Sequence, residues 1–170
     1  MVKLAPFRAD DSAQLFDWLQ VRDYRLDSGG FQHVSLVQHE KWFHEVQCPG
    51  DSVALSVRLN SDDSLVGLVQ LVAINRTYRH AELRIRLDPE QLGRGYGSEA
   101  TRLLCHHAFR DLNLNRVYLY VRAANVRAIR CYEKVGFQVE GRLRQHCFVD
   151  GAYDDFVVLG LLESEMKTVD

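Results

Sequence analysis

Gly93, Gly95 and Gly97 alternate with larger residues inside Asp88-Pro-Glu-Gln-Leu-Gly-Arg-Gly-Tyr-Gly-Ser-Glu-Ala100. Without a Cβ, glycine lets backbone N–H groups approach a ligand closely and adopt dihedrals that other residues resist. The preceding segment, Ala81-Glu-Leu-Arg-Ile-Arg-Leu87, alternates apolar and charged residues with the period of a strand. Beyond the glycines, Ala100, Leu103, Leu104, Ala108 and Leu112 recur at helical spacing. The turn thus delivers a strand into a helix N-terminus, where unpaired N–H donors and the positive end of the helix dipole coincide. That arrangement is a seat for an anion, a phosphate first of all. A turn that only connected strand to helix would carry similar glycines, so the turn alone does not settle its use.

Several phosphate ligands are excluded by what is absent. A dinucleotide fingerprint places glycine where this chain has Ser98, and an acid about twenty residues further on, where it reads Val117-Tyr-Leu-Tyr120. A Walker loop needs Gly-Lys-Ser/Thr, and no lysine lies in the turn. Composition narrows the class further. The 170 residues suit one domain spanning 1–170, with 46% apolar residues and a formal net charge of −2. That balance gives no reason to expect nucleic acid as a partner. No apolar run approaches membrane length and the N-terminus lacks a signal-peptide pattern, so no membrane association is expected. Cys48, Cys105, Cys131 and Cys147 are scattered without C-x-x-C spacing, which fits a reduced, cytoplasmic setting.

The elements around the turn read in order. Val2 to Phe7 is a short strand, and Asp10-Asp-Ser12 offers caps for a helix carrying Leu15, Trp18, Leu19 and Arg22. Gly29-Gly30 breaks that region. Ser35 and Gln38 form a capping box for a second helix through Phe43 and Val46, which Pro49-Gly50 stops. Val53 to Leu59 and Leu65 to Ile74 are strands, the latter almost wholly apolar, and they lead into the strand before the glycines. Past the central helix, Val117 to Arg122 alternates as a strand. Asn125 caps a short helix that Gly136 ends. Phe137 to Val139, Leu143 to Val149 and Ala152 to Leu162 are strands, with Asp150-Gly151 as a hairpin turn. The order βααβββαβαββ describes an α/β fold of the α+β type. About seven strands form a mixed, mostly antiparallel sheet with about four flanking helices, and strands 4 and 5, joined through a helix, run parallel.

With these segments in place, the chain resembles the GNAT superfamily of N-acetyltransferases over essentially its whole length. Three stretches carry the resemblance: the glycine turn and its helix; Asn125-Val-Arg-Ala-Ile-Arg-Cys-Tyr-Glu-Lys-Val-Gly-Phe137; and Glu140-Gly-Arg-Leu-Arg144 with Asp150-Gly-Ala-Tyr-Asp154. The last is similar to the branch holding the spermidine/spermine and ribosomal-protein N-terminal acetyltransferases. The resemblance implies acetyl-CoA as acetyl donor, no metal, and a central sheet whose strands 4 and 5 splay apart around the thioester. It places the pyrophosphate on the N–H groups of Gly93, Arg94, Gly95, Tyr96, Gly97 and Ser98, and pairs the pantetheine with Ile85, Arg86 and Leu87 as an added strand. Leu92 stands where the family usually has Arg or Gln, a change that leaves the backbone donors intact.

By the same resemblance, Asn125 touches the pantetheine arm or simply caps its helix, and Ala128 lies beside it. Arg127, Arg130 and Lys134 either meet the nucleotide phosphates or form a solvated helix face. Tyr132 matches the family's tyrosine acid, with a core aromatic as the alternative. Glu82 is the base favoured by the resemblance, or else the partner of a neighbouring arginine; it shares the strand face of Arg84 and Arg86. Cys131 is placed elsewhere on the helix with no chemistry. The implied acceptor is a primary amine: a polyamine, another small molecule or a protein N-terminus. Gln70 stands where polyamine enzymes of the branch tend to carry glutamate, and Asp27, His33, Trp42 and Phe43 are candidates for the acceptor side. The adjacent His106 and His107 point about 100° apart, so they make no metal pair. A homodimer is expected by analogy. The alternative is a non-catalytic acetyl-CoA-binding sensor or scaffold on the same fold.

Overall fold

The computed structural model describes residues 1–27, 33–48 and 50–166. Seven strands build one sheet: β1 (Val2–Ala5), β2 (Val53–Leu59), β3 (Leu65–Asn75), β4 (His80–Leu87), β5 (Arg116–Arg122), β6 (Gln138–Val149) and β7 (Ala152–Leu162). Among the described residues there are five α-helices: α1 (Asp11–Gln20), α2 (Arg22–Asp27), α3 (Leu36–Glu45), α4 (Tyr96–Arg110) and α5 (Val126–Val135). The sheet order is β1-β2-β3-β4-β5-β7-β6, antiparallel except between β4 and β5. Those two are joined through α4, the kind of crossover that parallel neighbours need.

The parallel pair is short. His80, Ala81 and Glu82 face Arg116, Val117 and Tyr118, and the pairing stops there. Their outer partners do not let go. β3 follows β4 as far as Leu87, and β7 follows β5 as far as Arg122. Two firmly paired half-sheets therefore diverge from one three-residue seam. This is the splay implied by the resemblance.

Each face of the sheet buries its own apolar cluster. On one side Ala81 and Leu83 of β4 meet Ala100, Leu104 and Ala108 of α4, at the 3.6-residue period of its buried stripe. On the other, Leu15 and Trp18 of α1 and Tyr24 of α2 pack on Leu65 and Leu68 of β3, with Trp42 and Phe43 of α3 at the margin. Beside this second cluster lies an ion pair between Asp11 and Arg58, both side chains only 4% exposed. Arg58 also donates to the Asp63 carbonyl at 2.9 Å, and Asp11 accepts the Arg8 backbone N–H at 2.8 Å. Such a pair ties α1 to β2, since neither charge is tolerable there alone.

The local signals map closely onto these elements. Ser35 Oγ accepts from the Gln38 N–H and Gln38 Oε1 from the Ser35 N–H, the reciprocal capping box. Asp150 and Gly151, at φ 53° and 80°, make the hairpin turn. Three features differ. The first helical region is two helices, because the chain becomes extended at Val21 (ψ 117°) before α2 begins, although no Gly or Pro marks that break. Asp10 supplies no side-chain cap to α1, while the carboxylate of Asp11 is taken up by Arg8 and Arg58. The two strand pieces after Phe137 form a single β6 whose register against β7 shifts at Val139/Gly141 and Leu143/Cys147. Gly29, Gly30 and Pro49 lie outside the described residues. No helix among the described residues is long and apolar enough to cross a membrane.

Asp11→Ala is expected to cost about 3–5 kcal/mol by stranding the Arg58 guanidinium, and Asp11→Leu with Arg58→Met to recover most of it. Urea unfolding midpoints check this, and a single change costing under about 1 kcal/mol would show that the pair is not needed.

Candidate active site

Where β4 and β5 part, a cleft of about 1220 Å³ opens. One wall is the β4 segment from Glu82 to Leu87, and the other includes Tyr120, Val121 and Arg122 of β5. Gly93, Gly95, Gly97 and Ser98 close one end, together with Asn125, Arg127, Ala128, Cys131 and Tyr132 of the α5 region.

Asp88 starts the turn: its carboxylate accepts the Glu90 N–H at 2.9 Å as the cap of a 3-10 turn over Pro89–Gln91. Gly93 and Gly95 follow at φ 78° and 86°, in the left-handed region, and Gly95 is the N-cap of α4. A Cβ on either would meet nothing within 4 Å. Glycine is required here by the backbone, and the space in front of it is open to a ligand. No side chain caps α4, so its first-turn N–H groups are left for an anion. Gly97 has a different reason. A Cβ there would stand 3.2 Å from Leu87 Cδ1 and 3.3 Å from Cys131 Sγ, so its absence lets α4 seat against both β4 and α5.

Asn125 Oδ1 accepts the Ala128 N–H at 3.1 Å, so it caps α5 while lining the cleft. Four residues C-terminal of Ala128, Tyr132 is 9% exposed, its ring centroid 5.9 Å from that of Phe137. It belongs to the core cluster and reaches the cleft as well. Glu82, with its side chain 16% exposed, accepts from Arg84 Nε at 2.7 Å. Glu82 is thus both ion-paired to Arg84 and part of the cleft lining. Tyr118 neighbours it on β5, its hydroxyl pushed above the usual tyrosine range by burial first and by Tyr120 and Glu82 next.

The far wall was not legible in the sequence. Val21, Tyr24 and Leu26 of the α1–α2 region and Leu143, His146 and Phe156 of the β6–β7 hairpin all line the cleft. No motif singles them out; Leu143 and Phe156 face each other only through strand register, and His146 lies 4.9 Å from Phe156 ring to ring. Cys131 is in the cleft too, its Sγ 3.2 Å from Ser98 Oγ, because it shares the helix face of Ala128 at i, i+3. The cleft takes in Ile85, Arg86, Leu87 and Leu92, but not Arg94, Tyr96 or Lys134. Arg94 and Lys134 are exposed, and Tyr96 packs against the core. Trp42 and Phe43 sit under the second cluster, His33 is exposed, and the side chain of Asp27 lies outside what is described. Among the described residues, no group of three or more His, Cys, Asp or Glu is placed to hold a metal ion.

The model of the acetyltransferase (GNAT) domain matches residues 2–138. A spermidine N(1)-acetyltransferase of Escherichia coli (strain K12) is 38% identical over 104 residues, 61% of this chain and 56% of that protein. A putative ribosomal N-acetyltransferase of Bacillus subtilis (strain 168) is 34% identical over 106 residues, 62% of this chain and 58% of that protein. The chain thus spans little more than half the length of these curated relatives. The crystal structure of a spermidine N-acetyltransferase from Vibrio cholerae, in complex with CoA and spermine, superimposes with a TM-score of 0.90 at 26% identity, covering 96% of each chain.

Gly95→Ala forces an L side chain to φ 86°, at a cost of about 1–2 kcal/mol that a relaxed turn would pass on to ligand binding. Calorimetry should show acetyl-CoA binding weakened about tenfold with the melting temperature nearly kept; unchanged affinity would remove the turn from the anion seat.

Proposed function

The chain belongs to the GNAT acetyltransferase family, and from that premise we propose that it is an acetyl-CoA-dependent N-acetyltransferase acting on a primary amine in a ternary complex. The observation that carries this reading is the convergence, in one cleft, of the uncapped α4 N-terminus, the unpaired length of β4, and the side chains of Glu82 and Tyr132. The residues present fit the donor. Backbone N–H groups from Gly93 to Ser98 would hold its pyrophosphate, Ile85 to Leu87 its pantetheine, with Asn125, Ala128 and the exposed Arg127 at the rim. When bound, acetyl-CoA supplies an activated acyl group on a thiol leaving group.

The rest is the work of the side chains. An alkyl amine is mostly protonated near neutrality, so a base must take a proton before it can attack. Glu82 is that base in this reading, directly or through a water, and its ion pair with Arg84 keeps its carboxylate oriented along the cleft. Tyr132 donates a hydrogen bond, and finally a proton, to the departing sulfur. A phenol with a reference pKa of about 10 gives its proton to a thiolate of about 8.5 only slightly uphill, and even a hydrogen bond short of full transfer helps the sulfur leave. The acceptor is a primary amine; the relatives named for spermidine and for ribosomal protein make polyamines and protein N-termini the classes to test first. Four free cysteines, Cys48, Cys105, Cys131 and Cys147, support the cytoplasmic setting included in this proposal.

The test is thiol release from acetyl-CoA across spermidine, N-terminal peptides and small amines. Release with an amine supports the proposal, whereas tight acetyl-CoA binding with no release from any amine would favour a non-catalytic binder. Tyr132→Phe is expected to lower kcat by about a hundredfold while leaving acetyl-CoA affinity within a few-fold, and an unchanged kcat would exclude Tyr132 as the acid. Glu82→Gln should flatten the rise in rate toward alkaline pH, because the base works only after losing its proton. A retained limb would assign that step to a water relay.

A further inference from the structure

Glu82, Arg84 and Arg86 alternate along β4 and share one face. The opposite face holds Leu87, which lies against α4: a Cβ on Gly97 would stand 3.2 Å from its Cδ1. The phosphate seat at the start of α4 and the Arg86 guanidinium are thus on opposite sides of the strand. Arg86 instead reaches toward α2 and α3, its guanidinium carbon 6.0 Å from the centroid of Trp42.

Of the three charged side chains on that face, Glu82 and Arg84 satisfy each other at 2.7 Å, and Arg86 is left over. It lines the cleft, yet no carboxylate among the described residues lies within ion-pair distance of it. The same holds for hydrogen bonds: among the described residues none accepts from its guanidinium. Its surroundings are poorly hydrated, and burial lowers its proton affinity. A guanidinium resting on an aromatic face keeps its in-plane N–H groups available, and their fork matches a carboxylate. A desolvated cation with no carboxylate within ion-pair distance among the described residues repels a polycation and favours an anion.

Resting on the acetyltransferase reading above, we propose that Arg86 selects the acceptor: an amine that also carries a carboxylate, such as a protein N-terminus with an acidic residue a few places in, in preference to a polyamine. The spacing sets the class. Glu82 and Arg86 are four residues apart, about 13 Å along a strand, and the reach of both side chains shortens this to roughly 7–13 Å between amine and carboxylate. A free α-amino acid is too short to span it. An extended peptide, at about 3.3–3.6 Å per residue, spans it with an acidic side chain at its second to fourth position.

The experiment compares kcat/KM for peptides that differ only at the third residue, Glu, Gln or Lys, with spermidine alongside. The Glu peptide should exceed the Gln peptide at least tenfold, mainly through KM, and exceed the Lys peptide and spermidine by more. Arg86→Gln should collapse the Glu-to-Gln ratio toward one, and Arg86→Lys should keep part of it; calorimetry with acetyl-CoA verifies that both variants are folded. Spermidine used as well as the Glu peptide by the wild-type protein overturns the inference and leaves the acetyltransferase reading intact. A ratio unmoved by Arg86→Gln overturns it likewise. Absence of thiol release with every amine removes the acetyltransferase reading, and this inference with it.

Discussion

Everything in the site depends on a seam of three residue pairs between β4 and β5. Past Glu82 and Tyr118 the strands separate while each keeps its outer partner, so the backbone along the inner edge of β4 has no strand to bond. Unpaired backbone groups are costly when dry and persist only where water or a ligand meets them. The gap is held open by packing rather than by any contact across it. Leu83 is pinned beneath α4, and Tyr24 and Trp42 lie on the reverse face with their own cluster. The sheet thereby offers a ligand what a missing strand would offer, with an uncapped helix N-terminus at one end of the opening.

The two faces of β4 then divide the labour. Its apolar face is spent on the core and brings the glycine turn into place, through the contact of Leu87 with Gly97. Its charged face runs along the cleft as Glu82, Arg84 and Arg86, a carboxylate paired with one guanidinium and followed by a second without a described anion. A shift of the strand by one residue would exchange these faces and lose both functions together. The register against β3, with Leu83 opposite Leu71 and Arg86 opposite Leu68, is therefore part of the site as much as of the fold.

The sequence made the local part of this legible. Strands with period-two alternation, the Ser35–Gln38 capping box, the Asn125 cap and the glycine turn each depend on neighbours within a few positions. What escaped depends on distant ones. Asp11 and Arg58 are 47 positions apart, and nothing near either announces a buried pair. The far wall of the cleft joins α2 to the β6–β7 hairpin, and α2 itself was hidden because the helical spacing of Leu15, Trp18 and Arg22 reads straight through the extended residue Val21. The resemblance assigns Arg86 a backbone contact, whereas the setting of its side chain depends on the packing of Trp42 and Tyr24, which no local pattern announces. The place of Cys131 in the cleft is set by Ser98, which lies on another element 33 positions away.

Amide hydrogen exchange of the full chain, with and without acetyl-CoA, tests the central claim most directly. Slowed exchange at Gly93 to Ser98 and at those amides of Leu83 to Leu87 that point into the gap, with Asp150 and Gly151 at the hairpin tip unchanged, is the expected result. Binding that leaves the β4 amides exchanging at their original rate would contradict the splayed seam as the place where the donor is held.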